Sequence, residues 1–169
     1  MDTDPRMRAG DGLWAIGDIT GKGAYTHMSM YQADIALADI LASEGDGARE
    51  AEYHAVPRVT YTDPEVGSVG MTEEQARDAG IDVAVGLAPL GESTRGWISG
   101  ADGVIKLVAG RDAGHLVGAT SVGPTGGEVL SMLATAVHAR IPTATLARMP
   151  FAYPTFHRAV ETALADLRE

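Results

Sequence analysis

The chain has 169 residues, which fits one domain or one domain with an appendage, and its 45% hydrophobic and 21% charged residues are a globular make-up and not that of a disordered tract. With 23 acidic against 13 basic side chains its formal charge is −10, so phosphate backbones and anionic headgroups are repelled, and nucleic acid and membrane surfaces are excluded as partners. Cysteine is absent, which excludes a structural disulfide, a thiolate metal site and a redox-active dithiol within this sequence.

Residues 1–12 are polar and turn-rich, with Asp4-Pro5 and Gly10-Asp11-Gly12. Leu13-Trp14-Ala15-Ile16 is a short apolar run closed by Gly17-Asp18, which predicts a buried strand. After a Gly21-Lys22-Gly23 loop, Met28, Tyr31, Ile35, Ala38 and Leu41 recur at helical spacing and predict a helix from Thr26 to about Leu41. Gly45-Asp46-Gly47 is expected to stop it, and a polar linker runs to about His54. Val59-Thr60-Tyr61-Thr62 and Val66 to Met71 are β-rich, with Asp63-Pro64 as a turn or bulge between them. Thr72-Glu73-Glu74-Gln75 is a capping box, and Gly80 is placed to end the short helix it starts.

Ile81, Val83 and Val85 alternate with Asp82 and Ala84, the period of a strand. Trp97-Ile98, Val104 to Val108 and Leu116 to Val122 are read as further strands, separated by Ala101-Asp102-Gly103 and Arg111-Asp112-Ala113-Gly114, which predicts an antiparallel meander. Two helices finish the chain, one with Leu130, Leu133, Ala134 and Val137 on a face, the other starting near Thr155 with Val160, Ala163, Leu164 and Leu167. The element order lacks regular βαβ alternation, so the class is α+β.

Four segments, in order, resemble the pyridine nucleotide–disulfide oxidoreductases. Leu13-Trp14-Ala15-Ile16-Gly17-Asp18 is similar to that family's second flavin-binding signature, and Val56-Pro57-Arg58-Val59-Thr60-Tyr61-Thr62-Asp63-Pro64-Glu65-Val66-Gly67-Ser68-Val69-Gly70-Met71-Thr72-Glu73 to the opening of its interface domain. Gly103-Val104-Ile105-Lys106-Leu107-Val108 with Leu116-Val117-Gly118-Ala119 resembles the central hairpin, and Phe151-Ala152-Tyr153-Pro154-Thr155 stands where the family has a His-Pro-Thr signature. The resemblance implies residues 1–52 as the C-terminal remnant of an FAD-binding domain, a leftover strand and helix. It implies residues 53–169 as an interface (dimerisation) domain, a mainly antiparallel sheet with helices packed on it. It also implies FAD and NAD(P)H as cofactors of a parent enzyme, and a homodimer.

By resemblance, Gly17 and Asp18 belong to the flavin site, where the carboxylate accepts a hydrogen bond from a ribityl hydroxyl; Gly-Asp pairs are also common turn formers. Thr26 and His27 open the first long helix, whose amides suit the negative edge of a reduced flavin, although Thr26 reads equally well as a plain N-cap. Tyr153 and Arg158 replace a His and a Glu that form the family's acid–base dyad. A phenol titrates near about 10 when unperturbed and is a poor base at neutral pH. His157, with Glu161, is the substitute dyad, or else an ordinary surface pair on an acidic helix. Gly123-Pro124-Thr125-Gly126-Gly127 lacks the lysine and spacing of a P-loop and is read as a tight strand-to-helix turn. The five histidines show no metal-ligand spacing, so no metal is expected.

These readings predict the dimerisation portion of a flavin- and nicotinamide-dependent oxidoreductase, not catalytic alone. Two alternatives stay open: a stand-alone dimerisation module from a truncated gene, and a small-molecule binding protein that uses the meander as a platform. Met1 stands just before the flavin signature, so a truncated reading frame is the expectation. No apolar run approaches a membrane span and no signal-peptide core opens the chain, so a cytoplasmic location is expected.

Overall fold

The computed structural model describes residues 1–42 and 49–167, and its contacts divide the chain into two units, Met1–Tyr53 and His54–Glu169.

The first unit holds a small antiparallel hairpin, β1 (Arg8–Gly10) and β2 (Leu13–Trp14), a 3₁₀ turn at Gly17–Thr20, and the long helix α1 (Thr26–Leu41). The segment expected to be a buried strand is two residues long and partly exposed, because its one ladder partner among the described residues is the three-residue β1. Helix α1 has the expected bounds but a different buried face: Met28, Gln32, Ile35, Ala36 and Asp39 point inward, while Ala38 and Leu41 are exposed. Apolar spacing alone misplaced that face because two of its inward positions are polar. Each is satisfied by hydrogen bonds, as buried polar groups must be. Met7, Ile35 and Ala36 form the core, flanked by Trp14, Tyr31, Ala51 and Tyr53. The expected stop at Gly45-Asp46-Gly47 lies outside the described residues.

The second unit is an α+β domain around a five-stranded sheet in the order β3-β4-β7-β6-β5, antiparallel throughout. Its strands are β3 (Pro57–Thr60), β4 (Glu65–Gly70), β5 (Val83–Pro89), β6 (Val104–Gly110) and β7 (His115–Gly123). Helix α2 (Glu73–Asp78) carries the expected capping box, with Thr72 Oγ1 accepting from the Gln75 amide and Gln75 Oε1 accepting from the Thr72 amide. Gly80 follows it in the left-handed region at φ 77°. Helix α4 (Gly126–His138) packs on β7 and β4, and α6 (Ala159–Asp166) packs on β5. Together they bury Leu130, Leu133, Val137, Val160, Ala163 and Leu164 against Ile105, Leu107 and Ala119. A buried leucine of this kind contributes about 1.5–3 kcal/mol.

Trp97-Ile98 is not a strand. It lies in α3 (Thr94–Ser99), which Ser93 caps by accepting from the Gly96 amide and Gly100 ends in the left-handed region. The aromatic and β-branched pair carried the strand expectation, but the local Ser cap and Gly stop decide the backbone, and Trp97 stays exposed. A short helix α5 (Thr143–Leu146) lacks a sequence signal, and the last helix starts later than Thr155, after a 3₁₀ turn at Phe156–Arg158. Among the described residues no helix is long and apolar enough to cross a membrane.

Candidate functional site

In the first unit, the 3₁₀ turn presents Asp18 to solvent and buries Gly17. Gly17 sits at φ 78°, a left-handed conformation that calls for glycine, and an added Cβ would also crowd the Ser29 hydroxyl at 3.0 Å. Behind it, Gln32 organises the turn from α1. Its Oε1 accepts from the Gly17 amide at 2.7 Å, and its Nε2 donates to Thr20 Oγ1 and to Tyr53 Oη, both at 3.2 Å. Thr20 Oγ1 in turn donates to Gly17 O at 2.7 Å. Gln32 is fully buried, so the backbone carrying Asp18 hangs on a closed hydrogen-bond network. Sequence reasoning missed Gln32 and Thr20; the available signal was a polar residue inside an otherwise apolar helical stripe.

Thr26 is the first helical residue and Tyr25 holds the N-cap position, with no side-chain cap. That removes the plain N-cap reading of Thr26. The Tyr25 and His27 rings stack with centroids 5.2 Å apart, flanking the helix start. Lys22 lies over the Tyr53 ring at 5.7 Å, and burial raises the Tyr53 phenol above its ordinary range.

In the second unit, Tyr153 is 66% exposed and its hydroxyl donates to Thr94 Oγ1 at 3.1 Å. The Arg158 guanidinium lies over the Tyr153 ring at 5.6 Å and pairs with Glu161 at 3.2 Å. Glu161 is thereby engaged with Arg158, and the half-buried His157 lies outside the lining of the adjoining groove. That groove has a volume of about 200 Å³ and is lined by Ser93, Thr94, Arg95, Tyr153, Arg158 and Glu92, among others. Thr94 and Arg95 carry no signal in the sequence, where the aromatic and β-branched Trp97-Ile98 beside them points to a strand.

The Gly123–Gly127 stretch is a tight turn into α4, and the Gly127 amide donates to Glu65 Oε2 at 3.0 Å. A carboxylate of the chain itself occupies that helix start. Gly126 leaves no room for a side chain, whose Cβ would meet Glu65 O at 2.6 Å.

Residues 56–164 match the family described as the pyridine nucleotide-disulphide oxidoreductase dimerisation domain. Dihydrolipoyl dehydrogenase of Halobacterium salinarum is 32% identical over 165 residues, covering 96% of this chain and 34% of the relative. Mycothione reductase of Mycobacterium tuberculosis is 29% identical over 161 residues, covering 93% and 35%. Among solved structures, LpdA from Mycobacterium tuberculosis superposes with a TM-score of 0.87 at 26% identity, covering 98% of this chain and 36% of that one. The HOCl-induced flavoprotein disulfide reductase RclA from Escherichia coli gives 0.83 at 26% identity, covering 98% and 38%. The chain therefore spans about a third of the length of the relatives it matches. The antiparallel five-stranded sheet, the capping box at Thr72 and the match over residues 56–164 agree: the chain belongs to the pyridine nucleotide–disulfide oxidoreductase family and carries its dimerisation domain.

Proposed function

We propose that this chain pairs subunits and closes the flavin pocket of an FAD- and NAD(P)H-dependent oxidoreductase, and that it is not a catalyst by itself. The observation that carries the reading is the Gly17-Asp18 turn, an exposed carboxylate on backbone that buried Gln32 anchors at the Gly17 amide, standing upstream of a dimerisation domain. The residues fit such a group: Asp18 is a free-standing acceptor for a sugar-like hydroxyl, and the start of α1, uncapped by any side chain, favours negative charge nearby. A bound flavin would supply reversible hydride acceptance; Asp18, Thr26 and His27 would position it.

Subunit pairing is supported by the apolar surface of the second unit, where Tyr61 and Trp97 are 81% and 79% exposed. Purified chain is expected to sediment at twice 17.6 kDa, and Trp97→Glu to shift it toward monomer. A monomer at micromolar concentration overturns the pairing.

Tyr153 and Arg158 form a cation–π pair tied to Thr94 and Glu161, not an acid–base dyad. We therefore read the parent reaction as hydride transfer from NAD(P)H through flavin to an acceptor that needs no such dyad, as in a flavin reductase or transhydrogenase.

The test is the mass of the native polypeptide in its source cells, read with an antibody against residues 56–73. A band near about three times 17.6 kDa that co-purifies with flavin, and loses flavin in the Asp18→Ala variant, is the expected result. A band at 17.6 kDa alone, without flavin, overturns it in favour of a stand-alone module.

A further inference from the structure

The groove beside Tyr153 has a chemistry of its own. It lies between α3 and the 3₁₀ turn that precedes α6, and its lining brings together two guanidinium groups and several hydroxyls in a chain of charge −10. We propose that this groove binds a small oxyanion, the phosphate or carboxylate end of a ligand, held by Arg95, Arg158 and the Thr94 hydroxyl.

The donors are oriented. Arg95 lies over the Phe156 ring with its guanidinium carbon 5.9 Å from the centroid, and Arg158 lies over Tyr153 at 5.6 Å. A ring face supports a planar guanidinium while leaving its N–H edge open, which is the arrangement that favours oxyanions over a mobile lysine. Arg158 pairs with Glu161 through Nη2 at 3.2 Å, and of its five N–H donors those on Nε and Nη1 are left for a second oxyanion. Thr94 Oγ1 accepts the Tyr153 proton, which leaves the threonine's own O–H to donate onward, polarised by the bond behind it. Of the other hydroxyls in the lining, Ser93 Oγ donates to Leu90 O and Thr155 Oγ1 to Ala152 O, while Thr162 lies on α6. Recognition is assigned to the two guanidiniums and the Thr94 hydroxyl that the Tyr153 bond orients.

Size and charge limit the ligand. A volume of about 200 Å³ lies below the ~300–1,000 Å³ of pockets that enclose whole drug-sized molecules, so the groove takes a charged end group and leaves the rest of the ligand outside. Glu92 also lines the groove and opposes an anion there. Its removal should tighten binding.

The inference uses the placement of Tyr153 but not the flavin reading, and its test needs no flavin. The ¹⁵N-labelled chain is titrated with sodium phosphate and, separately, with sodium acetate, at ionic strength held constant with sodium chloride. Saturating amide shifts confined to residues 92–95 and 153–162 are expected, with Arg95→Gln and Arg158→Gln each weakening them about tenfold or more. Arg111→Gln, which removes a guanidinium paired with Asp82 at 3.6 Å elsewhere on the unit, should leave them unchanged, and Glu92→Gln should strengthen them. Saturation by phosphate alone identifies a phosphate ligand, and by acetate alone a carboxylate. Shifts that never saturate, spread over the surface, or survive both groove arginine variants overturn the proposal. The same spectra report whether each variant keeps its fold.

Discussion

Asp39 is nearly closed off from solvent and yet charged, because Arg8 donates to it from Nε at 2.6 Å and Nη2 at 2.7 Å and Trp14 Nε1 donates at 2.8 Å. The Arg8 hydrogen bonds, helped by that of Trp14 against the desolvation of the site, hold its carboxyl below the ordinary aspartate range. A carboxyl with a lowered folded-state pKa stabilises the fold above its unfolded value and loses that contribution as pH falls through the folded one. The first unit is therefore expected to loosen in acid, below the ordinary aspartate range, and to show no such loss in Asp39→Asn, which is already weakened at neutral pH. Trp14 emission followed against pH in a Trp97→Phe background checks this; identical acid profiles for both proteins would contradict it. Gln32 makes the second residue-scale case. Gln32→Leu leaves the buried Gly17 amide without its acceptor, and a buried orphan donor costs about 1–3 kcal/mol. Urea unfolding followed by Trp14 emission should show that loss, whereas Asp18→Ala, on the exposed side of the same turn, should be nearly neutral for stability.

At the scale of elements, the second unit is held by local caps and by close approach of helices to the sheet. Thr72→Ala removes the hydroxyl half of the capping box on α2 and should cost about 0.5–2 kcal/mol in denaturant unfolding. Glu73 in that helix is held below the ordinary glutamate range by Lys106 first and Arg77 second, with Lys106 Nζ at 2.8 Å, so α2 is also tied across to β6. Where α6 crosses β5, an added Cβ at Gly86 would stand 2.0 Å from Ala163 O. Gly86→Ala must push the helix off the strand and should cost about 1–3 kcal/mol or more, visible as a lower urea midpoint; an unchanged midpoint would show that α6 docks more loosely than this contact implies. The capping box was legible from Thr72 and Gln75 because both partners are local in sequence. Helix α3 was not, because the aromatic Trp97 weighed toward a strand while the Ser93 cap that decides the matter lies before it.

On the scale of the whole molecule, the two units differ in how well each closes over its apolar groups. The second buries a continuous core beneath α4 and α6, whereas the first leaves Met30, Leu37, Ile40 and Leu41 of α1 exposed, with Ile16 and Ile19 before it. Elements with few buried contacts open at low free energy. Amides of α1 are accordingly expected to exchange faster than those of β6 and β7, and a hydrophobic dye to bind the chain less after polar substitutions at Leu37 and Ile40. Equal protection of both units would show that the first unit is complete as it stands.

The sequence by itself determined the α+β class, the antiparallel meander of β6 and β7, the bounds of α1, the capping box and the family, because each rests on residues close together in the chain: period-2 or helical spacing, a Ser, Thr or Gly at an element end, or a continuous motif such as the one over residues 56–73. Only the tertiary structure decided which face of α1 is inward, because burying Gln32 and Asp39 depends on partners up to 31 residues away. It also decided the strand order β3-β4-β7-β6-β5, in which β4 pairs with a strand that lies beyond β5 and β6 in the chain. The groove that joins Arg95 to Tyr153 and Arg158 follows from the same cause. Its residues stand far apart in sequence, and only the docking of α6 on β5 and the turn of α3 bring their side chains to one place.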